Sequence, residues 1–107
     1  MYLRHILDAI SDIYTYTRGL TQKEFLSDKK TQDAVIRKME IIGEASNQLT
    51  LSIRKMVPGV PWRDIVDMRN KLTHEYFAID LTIIWGTAKK DLPIFEAALW
   101  ELLESLT

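Results

Sequence analysis

The sequence predicts an all-α fold, an antiparallel up-and-down helical bundle with short loops, and three observations carry that expectation. Apolar residues recur at steps of three and four through most of the chain. No stretch alternates apolar and polar residues with the period of a strand. Prolines and glycines concentrate where helices would have to stop, above all in Val57-Pro58-Gly59-Val60-Pro61. At 107 residues the chain is expected to form one domain, 1–107, in which a few helices must bury most of their apolar faces to make a core.

The first helix is expected over roughly 2–18, where Leu3, Ile6, Leu7, Ile10, Ile13 and Tyr14 line one face and Gly19 stands at the C-terminal stop. Thr21 to Leu26 is too short for an independent pattern and is predicted to be a connector that packs Phe25 and Leu26. Ser27-Asp28 then supplies an N-cap. A long central helix is expected over about 30–56, because Val35, Met39, Ile42, Ser46, Leu49, Ile53 and Met56 alternate spacings of four and three. Gly43 inside it costs about 1 kcal/mol relative to alanine, which either a close approach of another helix offsets or nothing does.

Pro61 suits the first turn of a third helix, with Ile65, Met68 and Leu72 as its core face and Arg63, Asp67 and Lys71 as a charged ladder on another. Asp80 is placed to cap the last helix. Leu81, Trp85, Ala88, Leu92, Phe95, Leu99, Leu102 and Leu106 keep one seam across Pro93, which predicts a single long helix kinked at the proline.

Composition narrows function before any motif does. With 14 basic against 15 acidic residues, a polyanion would have to meet a local basic patch, for which Arg54, Lys55, Arg63, Arg69 and Lys71 are the candidates. The chain has no cysteine and two histidines, His5 and His74, which argues against disulfides, thiolate catalysis and metal binding. Arg4, His5 and Asp8 interrupt the apolar residues of the N-terminus, and no apolar run reaches membrane-spanning length, so the expected location is cytoplasmic, with no membrane partner. His5 reads as a surface or packing residue, and Trp62, Trp85 and Trp100 read as core or interface residues and not as base-stacking platforms.

The segment Met68-Arg69-Asn70-Lys71-Leu72-Thr73-His74-Glu75-Tyr76 sets an arginine, a histidine and a tyrosine in the pattern R-x-x-x-x-H-x-Y. Arginine offers a permanently charged fork that fits phosphate oxygens, histidine moves protons near neutral pH, and the tyrosine hydroxyl can itself be modified. On a regular helix Arg69 and His74 point about 140° apart. Either the helix ends before His74, or two copies around a two-fold axis bring both residues to one cleft, which predicts a homodimer. Arg69 and Tyr76 would share a face if the helix continues. By spacing alone, such residues near a helix end are more often capping and snorkelling groups than catalysts.

The stretches FLSDKKTQDAVIRKMEIIGEAS, VPWRDIVDMRNKLTHEYFAID and IIWGTAKKDLPIF, together with the motif, resemble the HepT-like branch of the HEPN superfamily, the toxin halves of HEPN and nucleotidyltransferase toxin-antitoxin pairs. The resemblance covers nearly the whole chain. It implies a HEPN-like homodimer with the motif helices at the interface, acting as a metal-independent ribonuclease on RNA, with no cofactor. Arg69 and His74 then match the catalytic pair, and Asn70 the polar residue beside the arginine. Tyr76 matches the tyrosine to which the nucleotidyltransferase antitoxin adds AMP units (AMPylation), silencing the toxin. Two other readings stay open at this point: a non-catalytic helical dimer that binds a nucleotidyltransferase partner, and a purely structural dimer.

Overall fold

A computed structural model describes residues 2–106, with the backbone alone for Tyr76. Helix α1 (Tyr2–Thr17) forms where Leu3, Ile6, Leu7, Ile10 and Ile13 all turn inward. It stops as expected at Gly19, whose φ of 78° is a backbone state that side chains other than glycine's disfavour. The connector that follows is a helix in its own right, α2 (Gln22–Leu26). Thr21 and Glu24 close a reciprocal capping box, in which the Glu24 amide donates to the Thr21 hydroxyl and the Thr21 amide donates to Glu24 Oε1. Phe25 is fully buried, whereas Leu26 is exposed.

Asp28 caps α3 (Lys29–Gln48) through the Thr31 amide and hydroxyl. The central helix is shorter than the seam predicts, because the chain breaks at Leu49-Thr50 and resumes as α4 (Leu51–Lys55). The break satisfies the groups it exposes. Thr50 accepts the Ile53 amide, and the Arg54 guanidinium donates to the carbonyls of Ser46 and Asn47, each at 2.9 Å. An apolar repeat continues through such a break because α4 still packs Ile53 inward, while Met56 is left exposed.

Helix α5 (Trp62–His74) begins just after Pro61. A 3₁₀ turn, Tyr76–Ala78, leads to Asp80, which caps α6 (Leu81–Gly86) by accepting the Thr82 amide at 2.9 Å. The chain then passes through one π turn, Thr87–Asp91, into α7 (Leu92–Leu106). This turn corrects the predicted seam. Leu92 donates to the Thr87 carbonyl, five residues back, so the buried residue before the turn is Ile84, and Leu81 and Trp85 are only partly covered. Leu106, the predicted end of the seam, is exposed.

Helix α3 is the centre of the packing, with α1 along one side and α5 along another, and α7 returns to α1. Ile6, Ile10, Ile13, Val35, Ile84, Leu99 and Leu102 are at most 2% exposed, and each such side chain contributes about 1.5–3 kcal/mol relative to exposure. No strand occurs among the described residues. No described helix is long and apolar enough to cross a membrane.

Candidate active site

Helix α5 carries the arginine and histidine of the motif in its last turns, and both ends of the helix are pinned. At its start the Trp62 indole donates to the Arg54 carbonyl at 3.1 Å and stands edge-on to Phe95, with ring centroids 5.6 Å apart. Towards its end Leu72 is buried. Between these anchors α5 runs unusually close to α3. A Cβ built on Gly43 would overlap the Cβ of Arg69 and stand 2.9 Å from its Cγ and 3.2 Å from the Ile65 carbonyl oxygen. The glycine inside α3 is therefore offset by a helix contact.

That contact decides where Arg69 goes. Its stem crosses Gly43, and its Nε lies 3.6 Å from Glu44 Oε2, an ion pair between a side chain 22% exposed and one 63% exposed. The Nε atom is covered and has no hydrogen-bond partner among the described residues. One turn on, the Thr73 hydroxyl is 3.3 Å from Glu40 Oε2. Arg69 and Thr73 thus both face α3, as residues four apart on a helix must.

His74 follows Thr73 by about 100° of helical rotation and is exposed, as is Asn70. The helix includes His74, because the Glu75 amide still donates to the Lys71 carbonyl at 2.8 Å. One of the two remedies for the divergence of Arg69 and His74, an early helix end, is therefore absent. The helix does not continue to Tyr76, whose backbone lies in the 3₁₀ turn, so the shared face inferred from helical phase does not apply. The expectation for the Tyr76 hydroxyl falls on a side chain outside those described.

A hollow of about 210 Å³ opens beside Arg69, lined among others by Tyr2, His5, Arg37, Glu40, Glu44 and Thr73. His74 is not part of it. His5, read from the sequence as a packing or surface residue, faces this hollow with its ring edge-on to Tyr2 at 6.2 Å. Glu40 and Glu44 are the residues that sequence reasoning missed; their signal was an (i, i+4) carboxylate pair straddling Gly43. Arg54, Lys55 and Arg63 share a separate hollow of about 430 Å³, so the proposed basic patch forms only in part and without Arg69. Arg63, Asp67 and Lys71 are exposed, in keeping with a solvated ladder. A groove of about 800 Å³ is lined mainly by apolar side chains such as Met39, Val60, Met68 and Phe95, and it contains neither Arg69 nor His74. Among the described residues no three His, Cys, Asp or Glu converge as ligands for a metal ion.

Comparison with known proteins adds a second line of information. The family model described as Ribonuclease HepT-like matches residues 6–102, a span that includes Arg69, Asn70, His74 and Tyr76. The chain is 47% identical over 92 residues to a Thermococcus cleftensis protein named probable ribonuclease HepT, covering 86% of this chain and 84% of that one. A Methanocaldococcus jannaschii protein named as a γ-glutamylcyclotransferase and candidate RNase is 40% identical over 106 residues, which is 99% of this chain and 48% of that longer protein. A Caldanaerobacter subterraneus protein named as a candidate RNase is 38% identical over 103 residues, 96% of this chain and 92% of its own length. No solved structure matches the chain significantly.

Proposed function

Because the chain belongs to the HepT-like ribonuclease family, we propose that it cleaves RNA without a metal ion, as the toxin half of a HEPN and nucleotidyltransferase toxin-antitoxin pair. The observation that carries this reading is an intact R-x-x-x-x-H-x-Y segment at the end of α5, inside the matched span. Arg69, Asn70 and His74 are the proposed catalytic residues. Arg69 faces α3 while His74 faces solvent, which supports a site completed across the two-fold axis of a homodimer, where one protomer's arginine meets its partner's histidine.

The chemistry follows from the residue types. The 2′-hydroxyl oxygen of RNA attacks the adjacent phosphorus and gives its proton to the His74 imidazole. The P–O5′ bond breaks, and the 5′-oxygen takes a proton back from the imidazolium. Arg69 stabilises the charge that builds on the non-bridging oxygens, and Asn70 adds a neutral donor. The products are a 2′,3′-cyclic phosphate and a 5′-hydroxyl, and DNA, which lacks the nucleophile, is not cut. Nucleotides added to Tyr76 by the antitoxin place bulk and negative charge beside His74 and repel RNA.

The test is cleavage of end-labelled RNA by the purified protein in EDTA. Wild type is expected to cut RNA and spare its all-deoxy counterpart, and Arg69→Ala and His74→Ala are each expected to lose activity. Full activity in either variant, or cleavage that requires a divalent ion, overturns the assignment. Intact-mass analysis after coexpression with the nucleotidyltransferase tests the silencing step. AMP-sized additions are expected on wild type and absent in Tyr76→Phe.

A further inference from the structure

We infer that Glu44 is a positioning residue for Arg69, fixing the plane of its guanidinium so that the outer edge is presented to RNA phosphate; this rests on the ribonuclease reading above. Three features of the α3–α5 contact lead there. Gly43 removes the Cβ that would collide with the Arg69 stem, so the arginine is laid across α3 at one place. The adjacent residue then sets its carboxylate Oε2 3.6 Å from Arg69 Nε. That nitrogen is sealed from solvent, with no hydrogen-bond partner among the described residues, so its charge is balanced by Glu44 alone among the ion pairs it makes.

The Nε–H is the guanidinium donor whose direction is tied to the side-chain stem. A carboxylate on that edge orients the planar group and leaves the four Nη–H donors, two of which form the fork that fits phosphate oxygens. Stability does not account for the pair, because ion pairs with one partner this exposed contribute little to folding. A carboxylate near a phosphate site also repels RNA. If Glu44 served affinity, its charge would have the wrong sign; as an orienting group it weakens binding slightly and serves turnover.

That opposition of effects supplies the test. Glu44→Ala is expected to lower kcat by about tenfold or more, with KM unchanged or lower and Tm unchanged. Glu44→Gln, whose amide oxygen keeps a neutral dipole on the Nε–H edge of Arg69, is expected to recover part of kcat. Unchanged kcat in Glu44→Ala, a rise in KM alone, or a loss of Tm that accounts for the loss of activity overturns the inference. A second readout stands apart from catalysis: the Arg69 Nε–H resonance of the full chain should exchange slowly with water in wild type and rapidly in Glu44→Ala. If wild type fails to cut RNA but this resonance responds, the ribonuclease reading falls and the positioning contact stands. If wild type cuts RNA and neither kcat nor the resonance responds, Glu44 has no such role.

Discussion

Replacing Gly43 by alanine tests the contact on which the proposed site depends, and the structure allows its size to be worked out. The new methyl would overlap Arg69 Cβ and lie 2.9 Å from Arg69 Cγ, whereas carbon atoms rest comfortably about 3.5–4.0 Å apart. The Ile65 carbonyl oxygen at 3.2 Å belongs to the backbone of α5, so rotating a side chain cannot relieve the overlap. Helix α5 must move away from α3 by roughly 1 Å. Overpacking of this kind costs about 1–3 kcal/mol, and alanine's better helix propensity returns about 0.5–1 kcal/mol. The net loss is about 0–2.5 kcal/mol, and each kcal/mol lowers Tm by about 4–8 °C in a domain near this size. Urea unfolding should show a lower midpoint at unchanged m-value. Activity should suffer more than stability, because a misplacement of about 1 Å at a reacting group costs on the order of 10²-fold in rate. A Gly43→Ala protein as stable as wild type, or more stable, and equally active would refute the argument, since it would mean that α5 does not sit on Gly43.

Further outcomes follow from the same geometry. If the site is shared between protomers, mixed dimers of Arg69→Ala and His74→Ala chains regain one intact site from two inactive parents. A site contained within one chain predicts that the mixture stays inactive, so single-turnover cleavage by coexpressed, doubly tagged dimers decides between them. The Tyr14 hydroxyl is covered from solvent, and burial together with the Glu96 carboxylate pushes its pKa up to about 12. The unfolded chain therefore releases this proton first, near the ordinary value of 10.0, and stability should fall as pH rises from there towards 12. Tyr14→Phe should flatten that decline in urea midpoints measured across the range, and a decline of the same slope would refute the assignment. Asp28 has its carboxyl held below the ordinary range by the Thr31 hydroxyl and amide. Its share of stability is present above the ordinary carboxylate pKa and is lost as pH falls through its depressed one; Asp28→Asn, which keeps a capping oxygen, should lose that acid dependence.

Much of the architecture was legible because helix periodicity is a local property. Leu3 to Ile13, Val35 to Ser46 and Leu92 to Leu102 announce their buried faces by spacing, and Gly19, Asp28 and Asp80 mark the boundaries that DNA-encoded composition alone would leave vague. The break at Leu49-Thr50 was hidden for a physical reason. An apolar repeat reports which side chains face inward, and α4 continues to face inward after the backbone has changed direction. The signal lay in Thr50, a capping residue, and in Arg54, which reaches back to the freed carbonyls. Helix α2 has five residues, too few to show a periodic pattern, and its signal in the sequence is the Thr21–Glu24 capping box.

For the site, α5 and the divergence of Arg69 from His74 could be read directly, since both depend on helical geometry within one element. The Glu44–Arg69 pair could not. Those residues are separated by most of two helices and a connection, and only packing brings them together. Gly43 was suggestive in the sequence as a helix-weakening residue in need of a reason, and the reason proved to be the very arginine that the motif singles out.

The π turn at Thr87–Asp91 bears on how this chain can change length. A bond spanning five residues houses one residue more than an α-turn does, and the sequence records the surplus. Ile84, Ala88, Leu92, Phe95, Leu99 and Leu102 are buried at steps of four, four, three, four and three; striking out one residue between Ile84 and Ala88 leaves a strict alternation of three and four. A single-residue deletion within this turn would thus close it into ordinary α-helix while both flanking faces kept their aim. The same deletion inside Leu92–Leu106 would swing everything beyond it by about 100°. The turn works as a slack link, a place where the gene could lose one codon without repacking the protein.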